Sequence, residues 1–301
     1  MRSLMSVGAT SVSATGASGV STFSPMFGLG AAGWMVVCAA AFAACGDKDT
    51  DTQPDDTDDT ETTTGEDTFD TDLEEPTGPL ILTGTLVDAA GAPVSEMVRV
   101  QYCRGDECRT ATRFQNAVFS FYDLPEGPGS FEIVDLNDAN TRVSVFAPIP
   151  VSTTMRTLDV VIPNASPAVT LPGAAAWTQV TPGLELELTA GMFTPASPFD
   201  PAVDAVWGAS AGDAPLPVEG AEGTLKQMFY LEPFDAVAEA GIQVRIADAW
   251  SLPEGSLSLW YADYETSSWT KISDLASDGA GKLTATGTLP KLTTLAVMQA
   301  P

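Results

Sequence analysis

Between Pro79 and about Pro163 the apolar residues come in short alternating runs, and no long stretch there keeps the 3.6-residue period of a helix. Runs such as LILTGTLVD, MVRVQYC, AVFSFYDL and SFEIVDL are bounded by DAAGAP and PEGPGS, which supply the Gly and Pro of turns. Successive side chains of a strand point to opposite faces, so each run offers one apolar face that another layer must cover. The fold class predicted is all-β, with two β-sandwich-like modules spanning 79–163 and 164–301. In the second module the strand candidates are LELELTA, FYLEP, IQVRIAD, SLSLWYADY, SWTKISD, KLTATGTL and LTTLAVMQ. Residues 190–228, rich in Pro, Gly and Ala, read as an insertion or a long loop.

Charge and composition narrow the function. The chain has 301 residues and a formal net charge of -27, which argues against nucleic acid, since phosphate binding needs a basic surface. It contains no histidine, so Ser-His-Asp and Cys-His catalysis are excluded and the commonest metal ligand is missing. No phosphate loop, metal cluster or nucleophile motif appears beyond Cys45. Pairs such as Glu185 and Glu187, or Asp200 and Asp204, have the spacing of ordinary strand and loop positions. The chain is therefore read as a non-enzyme, without cofactor or metal.

Two unusual segments precede the β-rich part. Met26 to Ala44 is uncharged and mostly apolar, and it closes with Phe42-Ala43-Ala44-Cys45-Gly46. Small residues before a cysteine suit a signal peptidase pocket. The segment resembles the lipobox of bacterial lipoproteins, with Phe42 where an aliphatic residue is usual. The resemblance implies a signal peptide over 1–44 and a lipid-modified Cys45 as the mature N-terminus. The competing reading is a retained transmembrane helix over 26–44. Gly28, Gly30 and Gly33 in this run spell G-x-G-x-x-G. They lack the surrounding strand–turn–helix unit of a dinucleotide site.

Residues 45–78 follow as a stalk of Asp, Glu and Thr. Within it, residues 47–75 carry 14 acidic side chains against Lys48 alone. Such a segment cannot bury enough apolar surface to offset its ordering entropy, so disorder is predicted. Fully stretched, it would reach on the order of 110 Å. Asp47, Asp49 and Asp51 alternate like calcium ligands, but no glycine turn or closing glutamate completes an EF-hand loop.

In the first module, Gly84-Thr-Leu-Val-Asp88-x-x-Gly91-x-Pro93-Val94 and Phe119-Ser-Phe121-x-x-Leu124-Pro125-x-Gly127 resemble the carboxypeptidase-regulatory-like, transthyretin-like β-sandwich family. That resemblance implies a spacer or binding platform without catalysis of its own. Leu252-Pro-Glu-Gly255, Leu257-x-Leu259-x-Tyr261, Trp269-x-x-Ile272 and Leu292-x-x-Leu295-Ala-Val297 resemble ZU5-like and related Ig-like domains of bacterial surface proteins. Cys103 and Cys108 flank a four-residue loop and would face each other at the base of a hairpin, where a disulfide fits. The Arg104-Gly105-Asp106 inside that loop matches an integrin tripeptide of the kind that arises by chance.

Alternation in SLSLWYADY sends Leu257, Leu259 and Tyr261 to one face and Trp260 and Tyr264 to the other. If the leucines face the core, Trp260 and Tyr264 form a candidate binding surface for a protein or glycan, or they pack beneath another part of the chain. Taken together, the sequence predicts a lipid-anchored protein of the bacterial cell envelope, at the outer membrane or cell surface. Its modules would serve binding, adhesion or assembly, with envelope proteins or glycans as partners. The alternatives are an accessory subunit of a secreted enzyme or transport system, or an enzyme using carboxylates.

Overall fold

The computed structural model describes residues 78–301, apart from 95–96, 106, 137–140 and 213–214. Every regular element among the described residues is a strand, so the fold is all-β. None of them forms a helix long and apolar enough to cross a membrane.

Eight strands make the first part: β1 (Leu80–Asp88), β2 (Val98–Arg104), β3 (Glu107–Thr110), β4 (Arg113–Gln115), β5 (Val118–Tyr122), β6 (Ser130–Asp135), β7 (Val145–Pro148) and β8 (Arg156–Ile162). They form two four-stranded sheets, ordered β4-β5-β1-β8 and β3-β2-β6-β7. Alternation turns Phe119 and Phe121 of β5 inward against Tyr102 of β2 and Phe131 of β6. The Phe119 and Phe131 rings lie 5.1 Å apart at the centre of this sandwich. β8 pairs with β1 in parallel, while every other ladder of the two sheets is antiparallel.

That parallel pairing explains Gly84. A Cβ on Gly84 would stand 1.7 Å from the Leu158 carbonyl oxygen and 2.7 Å from the Phe119 ring. The first obstacle is backbone, which cannot rotate aside. Gly84→Ala is therefore expected to cost about 3 kcal/mol, the upper part of the usual overpacking range, read as a lower urea midpoint with an unchanged m-value.

The remaining strands are β9 (Val169–Thr170), β10 (Ala176–Thr181), β11 (Leu184–Leu188), β12 (Ala205–Ser210), β13 (Thr224–Glu232) and β14 (Val237–Ile242). After them come β15 (Val244–Ala247), β16 (Leu257–Asp263), β17 (Ser268–Ser277), β18 (Lys282–Ala285), β19 (Leu289–Lys291) and β20 (Leu295–Gln299). All but β14 and β19 join one sheet, ordered β10-β11-β15-β18-β17-β16-β20-β13-β12-β9. This sheet curls until its ends approach, giving a near-barrel. Ser166 links them, donating its N–H to the Gly208 carbonyl at 2.8 Å and its hydroxyl to Thr181 Oγ1 at 3.0 Å. The concave face is filled by Leu184, Leu186, Leu188, Leu257, Leu259 and Val297, among others.

The stretch 190–228 is not one long loop. It contains β12, near one end of the curled sheet, and the start of β13. Ala and Gly hid β12 from a reading based on β-propensity. The small residues have a packing cause, because a Cβ on Gly208 would lie 2.7 Å from the Tyr230 carbonyl oxygen.

The convex face of the curled sheet is also covered. Trp260, Ala262, Ala296, Met298, Met228 and Tyr230 belong to the same apolar cluster as the sandwich core. Against them lies the outer face of β2, β6 and β7, so these three strands are buried on both sides, while β3 at the edge of their sheet stays exposed. One compact unit contains both sets of strands.

Candidate functional site

Cys45, the glycines at 28, 30 and 33, the aspartates at 47, 49 and 51 and the acidic stalk lie outside the described residues, as does Asp106. Cys103, Cys108, Trp260 and Tyr264 converge on the seam between sandwich and near-barrel. Cys103 and Cys108 are paired in register across the β2–β3 hairpin and joined by a disulfide, with an S–S distance of 2.04 Å.

Trp260 and Tyr264 do not form an open platform. Trp260 points away from the leucine face, as alternation requires, but it is only 9% exposed, and its Nε1 donates to Ser258 Oγ at 2.9 Å. Tyr264 is partly buried, with its ring 5.8 Å from Phe146 and 6.3 Å from Phe234. Its hydroxyl approaches Cys108 Sγ at 3.3 Å. The surface that a partner would have needed is occupied by β7 and the loop after β13. Thr294 fastens the same seam by donating to the Phe146 carbonyl at 2.6 Å.

The seam is polar as well as aromatic. Gln101 and Glu132 sit opposite each other on β2 and β6, and the Gln101 amide donates to Glu132 Oε2. Burial pushes the Glu132 carboxyl above the ordinary glutamate range; the Gln101 hydrogen bond and Arg99 pull it back, and Asp235 adds to the rise. Glu232 is also raised by burial, although it accepts from Ser144 N–H at 2.7 Å and Phe234 N–H at 2.6 Å. The first bond ties the loop before β7 to the end of β13, and the second holds the turn that follows β13. Lys291 reaches Asp235 at 2.8 Å and Asp263 at 3.5 Å. Arg142 stands 3.8 Å from Asp135.

No family model matches the chain. No curated protein matches it either.

The other sequence candidates are engaged elsewhere. Glu185 pairs with Lys282 at 2.6 Å and Arg245 at 4.0 Å, and Arg245 stacks 3.8 Å above the Trp177 ring. This ladder crosses β11, β15 and β18 on the outside of the near-barrel. Asp200 and Asp204 line a cavity of about 350 Å³ with Trp207, Pro195, Pro201 and Pro233. Phe199, in the turn beside that cavity, is 95% exposed. A second cavity of about 370 Å³ has Ile81, Leu82 and Ile149 at its base, with the Arg156–Glu219 ion pair at its side.

Sequence reasoning missed the seam residues Glu132, Glu232 and Lys291. Glu132 occupies an outward-facing position of β6, where a carboxylate ordinarily meets water. Only a covering layer contributed from more than a hundred residues away makes it a buried group.

Proposed function

We propose that this chain is a bacterial cell-envelope lipoprotein that holds a rigid β-body away from a membrane for binding or assembly. Cys45 carries the lipid, residues 1–44 are the signal that directs it, and the acidic Asp/Thr-rich segment is the spacer. The observation that carries the reading is the order of these parts in the sequence. Small residues precede a cysteine, a like-charged spacer follows it, and an all-β body comes after. The joined core supports a presenting role, because a body whose middle strands are buried on both sides transmits position without internal hinging.

Within that body, the cavity around Trp207 supports binding to a partner that offers an apolar or cationic side chain. Its walls are aromatic and prolyl, its rim carries Asp200 and Asp204, and Phe199 projects beside it. An envelope protein meets that description better than a neutral glycan. The anchor is tested by Cys45→Ala. The variant should leave the membrane fraction or accumulate unprocessed, whereas a variant that stays membrane-bound and normally processed would show that an uncleaved helix holds the protein.

A further inference from the structure

The sulfurs of Cys103 and Cys108 and a carboxylate oxygen of Glu132 all lie within 4.8 Å of one another. The two cysteines differ in exposure, Cys103 being only 1% exposed and Cys108 an exposed residue of the edge strand β3. Glu132 is 5% exposed, and its Oε1 has no hydrogen-bond partner. Cys103 pairs in register with Ser130, whose buried hydroxyl is likewise unpartnered. A disulfide that merely staples a hairpin has no use for a buried carboxyl beside it. Burying that group without full hydrogen bonding costs stability. We propose that Cys103 and Cys108 form a redox-active pair that exchanges with external thiols, Cys108 being the attacked sulfur and the Glu132 carboxyl the proton donor to Cys103.

A thiolate RS⁻ attacks Cys108 Sγ, an RS–Sγ bond forms, and the Cys103–Cys108 bond breaks with its electron pair leaving on Cys103 Sγ. Glu132 transfers its proton to that sulfur and later regains one from water. A second thiolate attacks RS, releases RSSR and frees Cys108 as thiolate, so two thiols are oxidised and the protein disulfide is reduced to a dithiol. Departure is eased by protonation of the leaving sulfur, which matters most at a buried position where a thiolate is poorly solvated. The elevation of the Glu132 carboxyl by burial supports this role, because the group then keeps its proton at higher pH than a surface glutamate. Around it, Gln101 and Arg99 come from β2 and Asp235 from the loop before β14, itself paired with Lys291, while Tyr264 meets Cys108. The inference does not depend on the lipid anchor.

The test uses the full chain, reduced glutathione, and alkylation followed by mass spectrometry. The disulfide should open while the protein stays folded, and the trapped glutathione adduct should sit on Cys108. Divided by glutathione thiolate concentration, the rate should fall as rising pH removes the Glu132 proton. Glu132→Gln should abolish that fall and slow the reaction at low pH about tenfold or more, as loss of a general acid does. Reduction only on unfolding, an adduct on Cys103, or a flat normalised profile in the unaltered protein would each overturn the proposal. The last two readouts need no variant, so a misfolded Glu132→Gln leaves the proposal open to refutation.

Discussion

Trp260→Ala is expected to destabilise the protein by about 3–5 kcal/mol, the range for removing a large aromatic from a core. In a body of this size that corresponds to a fall in melting temperature of about 10 °C. The reason is position. Trp260 stands on the convex face of the curled sheet, opposite Ala296 of β20, within the apolar cluster that joins near-barrel to sandwich. Its truncation removes packing from both and leaves Ser258 without the indole N–H it accepts. A melting temperature within a degree or two of the unaltered protein would mean that the seam does not hold the two parts together. Trp260 would then return as a contact residue for an outside partner. Thermal unfolding followed by circular dichroism is the suitable measurement, since the substitution removes one of the six tryptophans and so alters the fluorescence signal itself.

The contrast between what alternation revealed and what it hid has a physical cause. A strand's faces are set locally, so LILTGTLVD could be read as β1 and SLSLWYADY could be divided into a leucine face and a tryptophan face from the residues alone. What covers a face is set by chain segments far away. The outer face of β2 and β6 carries Gln101, Cys103, Ser130 and Glu132, the composition of a solvated surface, yet all four are buried. Nothing in the SFEIVDL run distinguishes a glutamate facing water from one facing a second sheet. β12 was hidden for the opposite reason. Its sequence AVWGAS has a single β-branched residue, Val206, among Ala, Gly and Ser, and close approach at Gly208 demands a residue without a side chain there. Cysteine spacing remained legible because a short hairpin fixes which residues oppose each other.

The same distant covering makes Lys291 decisive, and Lys291→Met is expected to cost about 3 kcal/mol at neutral pH, as for a buried ion pair that loses one partner. Lys291 ends β19, is 8% exposed at its side chain, and faces Asp235 at 2.8 Å and Asp263 at 3.5 Å. Glu265, 3.9 Å away, is largely in water and adds little. The loop carrying Asp235 is otherwise held by backbone bonds, Asp235 N–H to the Leu292 carbonyl at 2.7 Å and Leu292 N–H to the Ala236 carbonyl at 2.9 Å. Without the ammonium, two carboxylates face each other in a body that already carries excess negative charge. Burial pulls the Lys291 pKa down, but hydrogen bonding and attraction from Asp235, with Asp263 and Glu265, leave it above the ordinary lysine value. A lysine whose folded-state pKa exceeds its unfolded value stabilises fully below about pH 10.4, and that contribution is lost as pH rises through the folded-state pKa. The stability gap between the unaltered protein and Lys291→Met, measured by urea unfolding, should therefore stay constant from pH 7 to 9 and narrow above about pH 10.4. A gap that is negligible at pH 7, or that persists undiminished into strong alkali, would show that Lys291 serves by packing its alkyl chain, not by holding Asp235 and Asp263.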